Sequence, residues 1–85
     1  MPGPVRILLF ATARQAVGRP HLDRPVPAGG VAVDALVDDL AREFPELAVV
    51  LRSARYFRNG RVLRPGRDRV YPGDEFAIHP PYSGG

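Results

Sequence analysis

The stretch Val33–Pro45, VDALVDDLAREFP, decides the fold. Val33, Leu36, Val37, Leu40, Ala41 and Phe44 recur at i, i+3, i+4, i+7, i+8 and i+11, with Asp38, Asp39, Arg42 and Glu43 between them. That is the pattern of one amphipathic helix with a single apolar stripe. Asp34 suits the positive end of the helix dipole, whereas Ala32 makes a poor N-cap. Pro45 ends the helix, because the residue before a proline avoids the helical region. The same proline can open a second, shorter helix in which Leu47, Val50 and Leu51 point inward.

A lone apolar stripe must be covered, and the flanking sequence supplies strands to cover it. Val5–Ala11 is nearly continuous apolar sequence and reads as a central strand covered on both faces. Ala13–Gly18 allows one helical turn, stopped by Gly18 and Pro20. His21–Val26 reads as a short strand whose flanking prolines suit a sheet edge. After the helices, Tyr56-Phe57-Arg58 and Val62-Leu63 flank Asn59-Gly60, a strong hairpin signal. Pro65-Gly66 and Pro72-Gly73 mark two further turns. Glu75-Phe76-Ala77-Ile78-His79 alternates as a last strand. The order predicts one α+β domain over residues 1–81, with the helix laid across the concave side of a mixed sheet. First and last strands side by side in the middle would complete the core.

Composition narrows the function. The chain has 85 residues, 45% of them hydrophobic, which fits one globular domain. It contains no apolar run of membrane-spanning length, and MPGPVRILLF lacks the basic start and cleavage site of a secretory signal. A soluble, cytoplasmic protein without membrane contact is expected. Cysteine is absent, which excludes disulfides, thiolate metal sites and a cysteine nucleophile. His21 and His79 stand far apart with no carboxylate at ligand spacing, so no metal site is expected. All 12 basic residues are arginine. Arg52, Arg55, Arg58, Arg61, Arg64, Arg67 and Arg69 crowd one segment that contains turns. A solvated rim or a protein-docking role fits this segment better than nucleic-acid binding, since a net charge of +3 is a modest footprint for phosphates. The adjacent pairs Asp38-Asp39 and Asp74-Glu75 read as a solvated helix face and a turn rather than as acid–base machinery.

The end of the chain, HPPYSGG, is the most informative functional feature. Pro80 and Pro81 cannot continue a hydrogen-bonded ladder and hold the backbone extended, so the chain leaves the sheet after His79. Tyr82–Gly85 is then expected to be a flexible tail that reaches roughly 13–14 Å when extended. Gly84 and Gly85 lack Cβ atoms, so this tail can thread a narrow channel in a partner. The reactive group would be the carboxylate of Gly85, whose ordinary pKa of about 3.3–3.7 leaves it ionised and resistant to nucleophiles at neutral pH. ATP-dependent adenylation would activate it for a sulfur or nitrogen nucleophile. No Ser–His–Asp arrangement, glycine-rich phosphate loop or well-spaced carboxylate pair competes with this reading.

These residues carry a resemblance that spans almost the whole chain. The quoted pieces are Phe10-Ala11-Thr12-Ala13-Arg14 with Gly18, Val33-Asp34-Ala35-Leu36 closing on Phe44-Pro45, the Asn59-Gly60 turn, Pro72 to Ile78, and Pro80-Pro81-Tyr82-Ser83-Gly84-Gly85. In this order and spacing the chain resembles the MoaD/ThiS-type ubiquitin-like sulfur carriers. Within that family, which also includes the thiamine sulfur carrier, the small subunit of molybdopterin synthase is the nearest match.

The resemblance implies a β-grasp fold with no bound cofactor. It also implies a C-terminal glycine that an E1-like enzyme adenylates with ATP and a sulfur donor converts to a thiocarboxylate. The tail would insert into the molybdopterin synthase large subunit in a heterotetramer, which holds the catalytic groups, and give its sulfur to a pyranopterin precursor. Carried over, Gly85 bears the sulfur, Gly84 and Ser83 line the threading tail, Tyr82 belongs to the same partner-binding stretch, and Pro80-Pro81 fix its exit. Phe76 is expected to contact partners from the last strand.

His79 and Tyr82 depart from the molybdenum branch, which commonly has a bulky apolar and a small β-branched residue there. The pathway therefore stays open to thiamine, cysteine or thiolated tRNA, or to ubiquitin-like conjugation. A module of another class would bind RNA, stacking bases on Tyr56 and Phe57.

Overall fold

The computed structural model describes residues 1–81. Along the chain run β1 (Gly3–Leu9), α1 (Ala11–Val17), β2 (His21–Val26), β3 (Val31–Ala32), α2 (Val33–Glu43), α3 (Pro45–Leu51), β4 (Arg55–Arg58), β5 (Arg61–Leu63), β6 (Arg69–Val70) and β7 (Glu75–His79). Five strands form a mixed sheet in the order β2-β1-β7-β4-β5. The first and last strands lie side by side and parallel, in the register Ile7↔Phe76 and Leu9↔Ile78, and every other neighbouring pair in this sheet is antiparallel. β2 takes the edge, where the missing N–H of Pro25 does little harm.

The helix expected from the 3.6-residue period is α2, whose Val33, Leu36 and Leu40 enter one core with Val5, Ile7 and Leu9 of β1 and Phe76 and Ile78 of β7. Each fully buried large aliphatic or aromatic side chain contributes about 1.5–3 kcal/mol. α3 follows directly and adds Leu47 and Leu51, with Val50 partly buried against them. Ala32 gives α2 no side-chain cap. Instead the Val33 N–H donates to the Asp68 carbonyl at 3.0 Å, just where β3 and β6 pair through Val31↔Val70 and Ala32↔Arg69. This two-stranded sheet therefore takes over the role of an N-cap.

Three expectations need correction. β1 is central but not covered on both faces: Val5, Ile7 and Leu9 are buried, Arg6 is exposed and Leu8 is half-buried. Its apolar run comes from a core face plus one apolar outward position. The strand also stops at Leu9, because Phe10 caps α1 and Ala11 takes φ 49°. Ala11–Ala16 is made chiefly of good helix formers, so α1 runs two full turns and ends on Gly18 in the left-handed region. β3 and β6, which sequence reading did not anticipate, are strands of two residues each, too short for periodicity to register. The hairpin matches its expectation: Asn59 and Gly60 both have positive φ, 49° and 85°, as a type I′ turn requires. Among the described residues, no helix is long and apolar enough to cross a membrane.

Candidate functional site: the end of the last strand and the open face of the sheet

β7 organises the site because it runs through the middle of the sheet and leads straight into Pro80 and Pro81. Its period of two sends Phe76 and Ile78 into the core and leaves Glu75, Ala77 and His79 on the opposite face. Phe76 is 0% exposed and its ring stacks on Tyr56 with centroids 5.6 Å apart. The expectation that Phe76 meets partners is therefore corrected: its side chain has no surface to offer, and the outward residues of the same strand are the ones a partner can touch.

At the end of β7, the His79 ring lies parallel to Phe10 at 4.4 Å and meets Phe57 edge-on at 4.9 Å. Arg55 stands opposite His79 across the β4–β7 pairing. Together Arg55, Phe57, His79, Pro80 and Pro81 line a groove of about 520 Å³. Pro80 and Pro81, expected to fix the exit, thus sit beside an aromatic and cationic cluster. Tyr82, Ser83, Gly84 and Gly85 lie outside the described residues.

The groove continues into a wider surface. On the open face, the pairings Leu8↔His21, Leu8↔Ala77, Phe57↔Ala77 and Phe57↔Val62 align His21, Leu8, Ala77, Phe57 and Val62 in one row across all five strands. Leu8, Ala77 and Phe57 are half-buried, and Val62 is 67% exposed. Sequence reading missed the roles of Phe10, Leu8, Val62 and Arg55. The alternation of β7 held the clue, since two large apolar residues at 76 and 78 fix the core face and so assign 77 and 79 to the other. Which residues join them there depends on strand register.

Tyr56 is also reassigned. It is 5% exposed and donates its hydroxyl to the Leu51 carbonyl at 2.7 Å. Burial, reinforced by the negative charge of Asp34, holds its pKa above the ordinary tyrosine value. A ring enclosed in this way cannot stack on a nucleobase, so the RNA reading loses one of its two aromatic platforms.

The arginine segment divides by task. Arg69 donates to the carbonyls of Gly29 and Gly30 at 3.2 and 3.0 Å. Arg58 donates to the Arg69 carbonyl at 3.3 Å, lies over the Tyr71 ring and approaches Asp74 at 3.9 Å. These two hold the loops together, whereas Arg52, Arg55, Arg61, Arg64 and Arg67 are exposed and join no ion pair among the described residues. Asp74 accepts the Tyr71 N–H at 2.8 Å and the Asn59 amide at 3.1 Å, as a turn residue does. Asp39 pairs at the surface with Arg42 at 3.4 Å.

A mixed sheet ordered β2-β1-β7-β4-β5, with its main helix packed across one face and the parallel first and last strands at its centre, is the β-grasp or ubiquitin-like fold. Comparisons with known proteins agree. The model of the ThiS family matches residues 7–85. The molybdopterin synthase sulfur carrier subunit of Arabidopsis thaliana is 37% identical over 81 residues, covering 95% of this chain and 82% of that protein. The crystal structure of SAMP1 from Haloferax volcanii superposes with a TM-score of 0.81 at 27% identity, covering 98% of this chain and 100% of that one. The solution structure of the small archaeal modifier protein 1 from Methanosarcina acetivorans gives a TM-score of 0.76 at 26% identity, covering 100% and 99%. The chain belongs to the ThiS family.

Proposed function

We propose that this protein is a sulfur carrier, the small subunit of a molybdopterin synthase, with the Gly85 carboxylate as its working group. An E1-like partner adenylates that carboxylate: one carboxylate oxygen attacks the α-phosphorus of ATP and pyrophosphate leaves. Sulfur from a donor then displaces AMP, and the terminus becomes a thiocarboxylate. The large subunit takes up the tail and supplies the catalytic groups, so this chain carries sulfur and does not catalyse alone. It binds no cofactor of its own, and a cytoplasmic setting, where ATP is at hand, goes with this reading.

The observation that carries the reading is the 37% identity to a sulfur carrier subunit of molybdopterin synthase, which spans 95% of the chain. The family match reaching residue 85 supports it further. So does the physical arrangement, in which a central strand anchored by Phe76 and Ile78 ends in two prolines beside an open groove. Pro80 and Pro81 give the strand a stiff exit, and Gly84 and Gly85, which have no side chain, suit a narrow channel.

A second reading is ubiquitin-like conjugation, in which a nitrogen nucleophile replaces sulfur at the same adenylate. It is favoured by the likeness to the two archaeal modifier proteins, each above 25% identity over nearly the whole chain. With no lysine, the chain cannot form lysine-linked polymers on itself.

The test is ATP–pyrophosphate exchange by the activating enzyme of the same organism, with the full chain and with a variant lacking Gly84 and Gly85. Exchange with the full chain and none with the truncated one is expected. Equal exchange with both would remove the terminus from the chemistry. Adding a sulfur donor or a target protein then separates thiocarboxylate from isopeptide.

A further inference from the structure

Strand register sorts the outward side chains of the five-stranded sheet into three transverse rows of different character. The middle row is the apolar one already described. Two residues further from the tail, Asp23, Arg6 and Glu75 face one another across β2, β1 and β7. Arg6 lies 3.7 Å from Asp23, so the charges of this far row offset one another.

At the exit end, His79 on β7 faces Arg55 on β4. Arg64 follows Leu63, the last residue of β5 and the partner of Tyr56, so continuing that antiparallel register by one residue brings it beside Arg55. Neighbouring strands lie about 4.8 Å apart, so the two guanidinium-bearing residues are adjacent and repel one another. Both are exposed, and neither guanidinium joins an ion pair among the described residues, whereas those of Arg6, Arg24, Arg42 and Arg58 each do; the Asp68 carboxylate beside Arg64 is taken up by the Arg64 backbone N–H at 2.7 Å. Arg55 also lines the groove beside Pro80 and Pro81.

We infer that the E1-like activating enzyme presents an acidic surface to this end of the sheet, with carboxylates over Arg55 and Arg64 and an apolar strip over Leu8, Ala77, Phe57 and Val62. Two residues along a strand span about 6.7 Å, so the two parts of the partner surface lie that far apart. This inference rests on the carrier reading above and adds the chemistry of the partner. Guanidinium forks donate bidentately to carboxylates, and unlike charges raise the encounter rate of two proteins.

A protein fits the face better than a nucleic acid does. The Asp23 and Glu75 carboxylates stand only about 13 Å from the cationic row, where they would repel a polyanion lying along the strands. Tyr56 is enclosed in the core, and the Phe57 ring is half-buried with His79 against it.

The test measures kcat/KM for adenylation of the full chain by the E1-like activating enzyme of the same organism, at about 50 and about 500 mM NaCl. The wild type is expected to lose roughly tenfold or more between the two salts. Arg55→Glu/Arg64→Glu is expected to lose about tenfold at low salt with kcat unchanged and to respond little to salt. Arg55→Lys/Arg64→Lys should keep most of the rate. Arg61→Glu/Arg67→Glu, with the same change in net charge, should stay within about twofold of wild type. Circular dichroism melts of all variants confirm that they fold.

Equal rates for Arg55→Glu/Arg64→Glu and wild type, or a wild-type rate indifferent to salt, would overturn the inference while leaving the carrier reading in place. A wild type that is not adenylated at all overturns the carrier reading itself. Tight binding of a labelled single-stranded RNA, lost in the Glu variant while adenylation is unchanged, would overturn the inference and assign the row to nucleic acid.

Discussion

The two faces of the central strands β1 and β7 differ in nearly every respect. On one side Val5, Ile7, Leu9, Phe76 and Ile78 are almost completely buried beneath α2 and α3. On the other, Arg6, Leu8, Ala77 and His79 are exposed or half-buried on the open face. Neighbouring residues on one strand therefore belong to different problems. The inward set holds the fold together, and the outward set is available to a partner. A small domain can afford such a division only because a single row of helices closes its core.

Substitutions that respect or violate this division should separate in size. The largest effect is expected for Phe76→Ala, which removes a fully buried ring stacked on Tyr56 and should cost about 3–5 kcal/mol. A domain of this size has roughly 4–13 kcal/mol in all. Urea unfolding should therefore show a much lower midpoint or no folded baseline.

Gly30→Ala comes next. Gly30 has φ 75°, and a Cβ there would stand 2.4 Å from the Val70 carbonyl oxygen and 2.7 Å from the Tyr71 ring. The expected loss is about 2–3 kcal/mol. Gly60→Ala, at φ 85° but in open space, should cost only about 1 kcal/mol, for backbone conformation alone. Comparing their melting temperatures separates strain from collision.

Tyr56→Phe should cost about 1–2 kcal/mol, because it leaves the Leu51 carbonyl without its 2.7 Å donor. It also has a pH signature. Burial first, and then Asp34, raise the Tyr56 pKa in the folded state above the usual value of 10.0. The folded protein thus holds that proton more tightly than the unfolded chain. This contribution is fully present below about pH 10 and is lost as pH rises through the higher folded value. Stability measured above pH 10 should fall less steeply in Tyr56→Phe than in wild type.

The smallest effect is expected on the open face, where Val62→Ser should change stability by less than about 0.5 kcal/mol. If Val62→Ser destabilised the fold as much as Phe76→Ala does, the division between the faces would fail.

Much of this architecture was legible because local chemistry and tertiary role coincide. The Val33–Phe44 stripe became α2, Asn59-Gly60 became a type I′ turn, and the first and last strands do pair in the middle. Legibility failed where a residue's role depends on its distant neighbours. The continuous apolar run of β1 concealed an open face, because Leu8 is apolar for reasons other than the core. The Ala32 cap position is poor by itself and is completed by Asp68, 36 positions further along the chain. The open-face row of His21, Leu8, Ala77, Phe57 and Val62 draws one residue from each of five strands, so it emerges only once every register is fixed. Phe76 was misassigned for the opposite reason. Its place on the last strand was legible, but its inward direction required comparing the size of residues 76 and 78 with that of 77.

The central claim is that the anchored last strand presents a terminus for charging with sulfur. Tandem mass spectrometry of the C-terminal peptide tests it most directly, using protein incubated with its activating enzyme, ATP and a sulfur source. The account predicts replacement of one oxygen by sulfur, localised to Gly85 and dependent on ATP. A terminus that remains an ordinary carboxylate under conditions in which the same enzyme charges another carrier would contradict it.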